Sequence, residues 1–188
     1  MLALALLTLF LMVLPAGAHS GHAHDSGFTG GYAHPWSGLD HLLAMFAVGL
    51  WAWQMGGRAV WMIPATFLVV MSAGFLAGLR GVEWAVTEPM ILSSVVVIGV
   101  ALSLARKWPV AICSGVVGLF AFFHGFAHGN EMTANANALS YASGFLLGTL
   151  TLHLLGIAAG LLSGKWLRPV AVRYAGAAIA LAGIILWI

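Results

Sequence analysis

Charged side chains are scarce in this sequence. Lysine and arginine together number 7 and aspartate and glutamate 5 in 188 residues, a net charge of +2 that leaves no basic surface for nucleic acid. The single cysteine, Cys113, cannot close an intramolecular disulfide; placed in an apolar run, it reads as a small buried hydrophobe. No Walker A loop, dinucleotide fingerprint or Gly-x-Ser-x-Gly elbow occurs, so neither ATP-driven transport by this chain alone nor serine hydrolysis is suggested. What fills the sequence is hydrocarbon: 62% of residues are hydrophobic and the mean hydropathy is +1.02. That composition belongs to an integral membrane protein.

The chain begins with a short apolar run closed by Pro15 and the small residues Ala16-Gly17-Ala18, the pattern of a secretory signal peptide over residues 1–18. A basic start is missing, so an uncleaved extra helix is the alternative. Residues 19–33 are polar and glycine-rich, and read as a periplasmic tail without helix or strand. His19, His22 and His24 there are candidate metal ligands, although composition alone suits a solvated linker equally well. Six apolar segments follow at 37–54, 60–79, 88–105, 109–127, 138–163 and 169–188, each approaching the roughly 20 residues that a helix needs to cross a bilayer. The expectation is all-α, a polytopic six-helix transmembrane bundle over residues 34–188.

Cleavage after Ala18 would leave the mature N-terminus in the periplasm. The loops carrying Arg58, then Arg106 and Lys107, then Lys165, Arg168 and Arg173 then all face the cytoplasm, as the positive-inside rule asks. Tryptophans such as Trp36, Trp51, Trp53, Trp61, Trp108 and Trp166 fall mostly near segment ends and suggest interfacial belts. Glycines recur at four-residue spacing, as in Gly74 and Gly78, Gly144 and Gly148, and Gly156, Gly160 and Gly164, which favours tight helix packing.

Against this background two polar motifs stand out, His34-Pro35-Trp36-Ser37-Gly38-Leu39-Asp40-His41 and His124-Gly125-Phe126-Ala127-His128-Gly129-Asn130-Glu131. Ionisable groups in a membrane usually line a pathway, pair with one another or hold an ion. On a helix His124, His128 and Glu131 follow i, i+4, i+7 and share a face, so three ligands can converge on one ion. Gly125 and Gly129 beside them would let another helix approach closely. Pro35 suits a first helical position, with His34 flanking it and folding back over the entrance. Asp40 and His41 diverge, so that one meets the ion and the other a neighbour, and carboxylate–imidazole pairing would fix the histidine tautomer. Whether the motifs form one site or two is not set by sequence. His153, midway along the fifth segment, reads either as a second station on an ion path or as an interhelical hydrogen-bonding group. Thr149, Thr151, Ser140 and Ser143 either supply oxygens or bond back to helix carbonyls.

The two motifs together resemble the HupE/UreJ family of bacterial membrane proteins. The resemblance implies a nickel or cobalt permease associated with hydrogenase or urease maturation, in the inner (cytoplasmic) membrane, with His34, Asp40, His41, His124, His128 and Glu131 as its motif residues. It also implies a cytoplasmic nickel chaperone as partner. Imidazole and carboxylate ligands without thiolate suit nickel(II), cobalt(II) or zinc(II) rather than copper(I), calcium or magnesium. The family resemblance puts nickel(II) first, cobalt(II) next and zinc(II) behind. The expected function is therefore a secondary permease that imports metal, not an enzyme. The alternatives are a membrane-embedded zinc hydrolase or a metal sensor using the same ligands.

Overall fold

The computed structural model describes residues 27–132, 137–166 and 170–188, and among these every regular element is a helix. In order they are α1 (Phe28–Ser37), α2 (Leu39–Met55), α3 (Ala59–Gly78), α4 (Thr87–Leu104), α5 (Val110–Asn130), α6 (Ala138–Trp166) and α7 (Val170–Trp187). Helices α3 to α7 are long and apolar enough to cross a membrane. Helix α2 has 17 residues, a length of about 25 Å. Large apolar side chains such as Val69, Leu76, Leu161, Leu181 and Ile185 point outward, as they would toward lipid. The chain is a polytopic, all-helical membrane protein.

The six apolar segments correspond to α2–α7, with ends shifted by three residues at most. The first of the seven helices departs from the expected tail. Residues 28–33 continue as helix through His34 and Pro35, so Pro35 lies near the end of α1 instead of opening the first membrane helix. Gly38, in extended conformation, separates α1 from α2. One glycine that suggested a linker is a packing surface here: a Cβ on Gly31 would strike the Tyr141 carbonyl of α6. Phe28, Tyr32 and Trp36 follow at i, i+4, i+8, with centroids 6.5 Å apart for the first pair and 6.3 Å for the second. Tertiary packing thus overrides weak helix propensity. The proposed signal peptide and His19, His22 and His24 lie outside the described residues.

The bundle is assembled from closely packed pairs. Helix α3 lies against α5, α4 against α7, and the broken α1–α2 unit against the long α6. Glycines set each approach. Gly74 and Gly78 meet the Phe122 and Phe126 carbonyls, while Gly125 and Gly129 meet those of Met71 and Phe75. On α6, Gly144, Gly148 and Gly156 receive the backbones of α1 and α2, and Gly49 returns the contact at His153. Without a strong hydrophobic drive between helices in lipid, such close backbone contact supplies the dispersion energy of association.

Helix α2 is the innermost, with Ala44 to Ala52 almost wholly buried. Trp51 is only 3% exposed and belongs to the interior and not to an interfacial belt, while the half-buried Trp53 packs on Gly160 and Gly164. Cys113 is buried among apolar groups, as expected. Both motifs lie at the end of the bundle where α2 begins and α5 ends, while Arg58, Arg106, Lys107 and Arg173 gather at the other. There Lys107 Nζ donates to the Gln54 and Met55 carbonyls, at 2.5 and 2.9 Å, closing the C-terminus of α2. Arg173 Nε similarly donates to the Ser103 carbonyl near the end of α4, at 3.0 Å.

Candidate metal centre

The two motifs meet. His34 from the last turn of α1, Asp40 and His41 from the first turn of α2, and His124, His128 and Glu131 from the end of α5 form one cluster. His41 Nε2 lies 2.8 Å from His128 Nε2. The His34 ring centroid is 4.3 Å from that of His128 and 5.9 Å from that of His41, and His41 is 5.1 Å from His124. Candidate ligand atoms of His34, His128 and Glu131 lie within 4.8 Å of one another. His34 reaches this place from inside α1, not from a flanking turn.

Hydrogen bonds orient the rings toward one another. His124 Nδ1 lies 2.9 Å from the Phe120 carbonyl oxygen, which can only accept, so Nδ1 carries the proton and Nε2 a lone pair. That Nε2 is buried and meets no donor. Asp40 Oδ1 is 3.0 Å from His41 Nδ1, and Glu131 Oε2 is 3.1 Å from His128 Nδ1. A carboxylate that accepts from Nδ1 fixes the same tautomer in both rings. His41 and His128 then direct lone pairs at each other, an arrangement that calls for a shared cation, either a proton or a metal ion. The expected carboxylate–imidazole pairing is present twice, and Asp40 pairs with His41 itself.

Access is graded. Side-chain exposure falls from 58% at Glu131 through 23% at Asp40 to 2% at His128, and His124 is fully buried. Glu131 is thus the most open group of the cluster, His34 and Asp40 are half-buried, and His128 and His124 are enclosed. Phe145, with its ring 4.5 Å from His128, and Tyr141, 6.2 Å from His34, wall the cluster on the α6 side. Neither was singled out in the sequence; their spacing at i, i+4 beside Gly144 and Gly148 is the available signal. Gly38 makes room at the mouth, since a Cβ there would come within 2.7 Å of Asp40 Oδ1.

His153 stands apart. It is buried in α6, with the Phe67 ring 5.0 Å from its own and 5.7 Å from that of His124. Of the neighbouring hydroxyls, Thr151 and Ser143 donate back to the Leu147 and Ser140 carbonyls, at 2.8 and 2.7 Å.

Comparison with known proteins gives the family. The family model described as HupE / UreJ protein matches residues 6–186, nearly the whole chain. The chain belongs to the HupE/UreJ family. A curated relative of this HupE/UreJ protein, Protein HupE of Rhizobium leguminosarum bv. viciae, is 42% identical over 177 residues, covering 94% of this chain and 93% of the relative. No solved structure matches.

Proposed function

We propose that this HupE/UreJ protein is a secondary permease that imports a divalent transition metal, nickel(II) first and cobalt(II) next, from the periplasm for metalloenzyme maturation. The observation that carries the reading is the convergence of both motifs with imidazole tautomers oriented toward a common centre. Two nitrogens bound at right angles to one metal, each about 2.1 Å away, are about 3.0 Å apart; His41 Nε2 and His128 Nε2 are 2.8 Å apart. Imidazole and carboxylate donors suit nickel and cobalt, and the family membership agrees with that cargo.

The basic residues at the opposite end support a cytoplasmic assignment for that end and, with it, the reading of a periplasmic metal cluster in a six-span inner-membrane bundle. Capture there fits import. A cytoplasmic nickel chaperone would receive the ion. We read the chain as a carrier and not as an enzyme, because the cluster opens at a membrane face and another imidazole lies deeper in the bundle.

Metal accumulation in nickel- and cobalt-limited cells, measured at low external concentration beside a His128→Ala control, tests this. Accumulation that the control abolishes is the expected result and identifies the preferred ion. Purified protein that binds metal while the cells accumulate none would replace the permease with a metal sensor or a membrane-embedded zinc hydrolase.

A further inference from the structure

We propose that His153 is a second, dehydrated ion-binding station, and that the ring of Phe67 is the partition an ion must pass to reach it from the outer cluster. This rests on the transport reading above and adds to it a route through the bundle interior.

The first ground is the state of the imidazole. A neutral histidine always carries one N–H donor and one lone-pair acceptor, and burying either without a partner is costly. His153 is fully buried, and neither Nδ1 nor Nε2 has a hydrogen-bond partner. Several hydroxyls of α6 have partners. Ser163 Oγ donates to the Gly160 carbonyl at 2.8 Å, Thr151 Oγ1 donates to the Leu147 carbonyl at 2.8 Å, and Thr149 Oγ1 points to Met71 Sδ at 4.0 Å. The helix therefore has the means to satisfy polar side chains and does so on either side of His153. An imidazole held by an interhelical hydrogen bond would show a partner; this one shows none and keeps both ring nitrogens available.

The second ground is position. His124 is the deepest donor of the outer cluster, one turn or about 6 Å further along α5 than His128. Its Nε2 is likewise unpartnered. Phe67 stands against both His124 and His153, edge-on to the latter. Two imidazoles with unpartnered ring nitrogens thus flank one aromatic ring. His153 is also anchored from behind, since its carbonyl packs where Gly49 of α2 lacks a side chain. Phe67 belongs to the α3/α5 pair and His153 to the α1–α2/α6 unit, so relative movement of the two would shift the ring from between the stations.

The test compares native full-length protein with His153→Leu, His153→Gln and His128→Ala, each purified in detergent and reconstituted into vesicles. Equilibrium nickel binding, initial nickel uptake and thermal melting are measured for each. His153→Leu is expected to bind nickel within about threefold of native, to melt at or above the native temperature, and to lower uptake by about tenfold or more, because apolar replacement removes an uncompensated polar group and also the ligand. His153→Gln, which is polar but a poor nickel ligand, is expected to share the uptake defect. Uptake within about twofold of native in His153→Leu would overturn the proposal. So would uptake restored by His153→Gln, which would indicate a packing role, or nickel binding lost in step with uptake, which would make His153 part of the outer site. A lower melting temperature with lost uptake in His153→Leu also counts against it. Failure of the underlying reading looks different: native vesicles that take up no nickel, or His128→Ala indistinguishable from native, defeat the outer site whatever His153 does.

Discussion

Asp40→Asn isolates the contribution of a group that need not touch the metal. Asp40 Oδ1 accepts from His41 Nδ1 at 3.0 Å, and its side chain is 23% exposed, so the contact is only partly shielded from solvent. The carboxylate holds the proton on Nδ1 and leaves the Nε2 lone pair facing His128. Asparagine keeps the shape and loses the charge; with its amide turned inward, it favours the tautomer that protonates Nε2 and removes the ligand. Loss of such a supporting carboxylate costs about 10–100-fold in metal affinity, or about 1.4–2.7 kcal/mol. The same substitution removes a favourable first-turn charge at the N-terminus of α2, worth about 0.3–1 kcal/mol, so the melting temperature should move only slightly. Competition for nickel between the purified chain and a chelating dye, with melting curves alongside, measures both effects. A dissociation constant within about threefold of native would refute the tautomer argument, since less than about 0.7 kcal/mol would then separate the two carboxyl-site groups.

Other substitutions separate packing from ligation. Gly125→Ala places a Cβ on the Met71 carbonyl, and overpacking of that kind costs about 1–3 kcal/mol; melting temperature and nickel affinity should both fall, because His124 and His128 move with α5. Gly38→Ala meets a different neighbour, the movable carboxylate of Asp40, on a backbone that accepts alanine without strain. Near-native melting with nickel binding weakened about tenfold is expected from displacing that carboxylate, measured by the same dye competition. Lys107→Met removes two donations to the last carbonyls of α2 at an exposed position, so it should lower stability by less than about 1 kcal/mol and leave nickel binding unchanged.

Hydropathy made the membrane helices legible, because a lipid-facing helix can be apolar all round. The four-residue glycine spacings likewise announced close packing, and Gly74, Gly78, Gly125 and Gly129 interlock in the α3/α5 contact. Helix α1 was hidden for the complementary reason. Gly30 and Gly31 lower its intrinsic propensity, and only contact with α6 makes the segment helical. Trp51 misled because the same indole that suits an interface also fills a core. At the site, residue types and helical spacing suggested the donors, but the 87-residue separation of His41 and His128 is closed only by topology. The partnerless state of His153 was equally invisible, since a sequence lists polar groups without their neighbours.

The glycine-set pairs place the donors on two sides of a seam: His34 and His41 ride with α6, whereas His124, His128 and Glu131 ride with α3. Helix α2 meets α5 at the seam through the His41–His128 contact. An ion held from both sides adds its binding free energy to keeping the seam shut, by RT ln(1 + [L]/Kd). Strong grip and rapid turnover are therefore opposed in this architecture: each increment in affinity across the seam raises the work of parting it. Scavenging at very low metal concentration would come with slow delivery, and selection for faster delivery would have to loosen one side of the cluster.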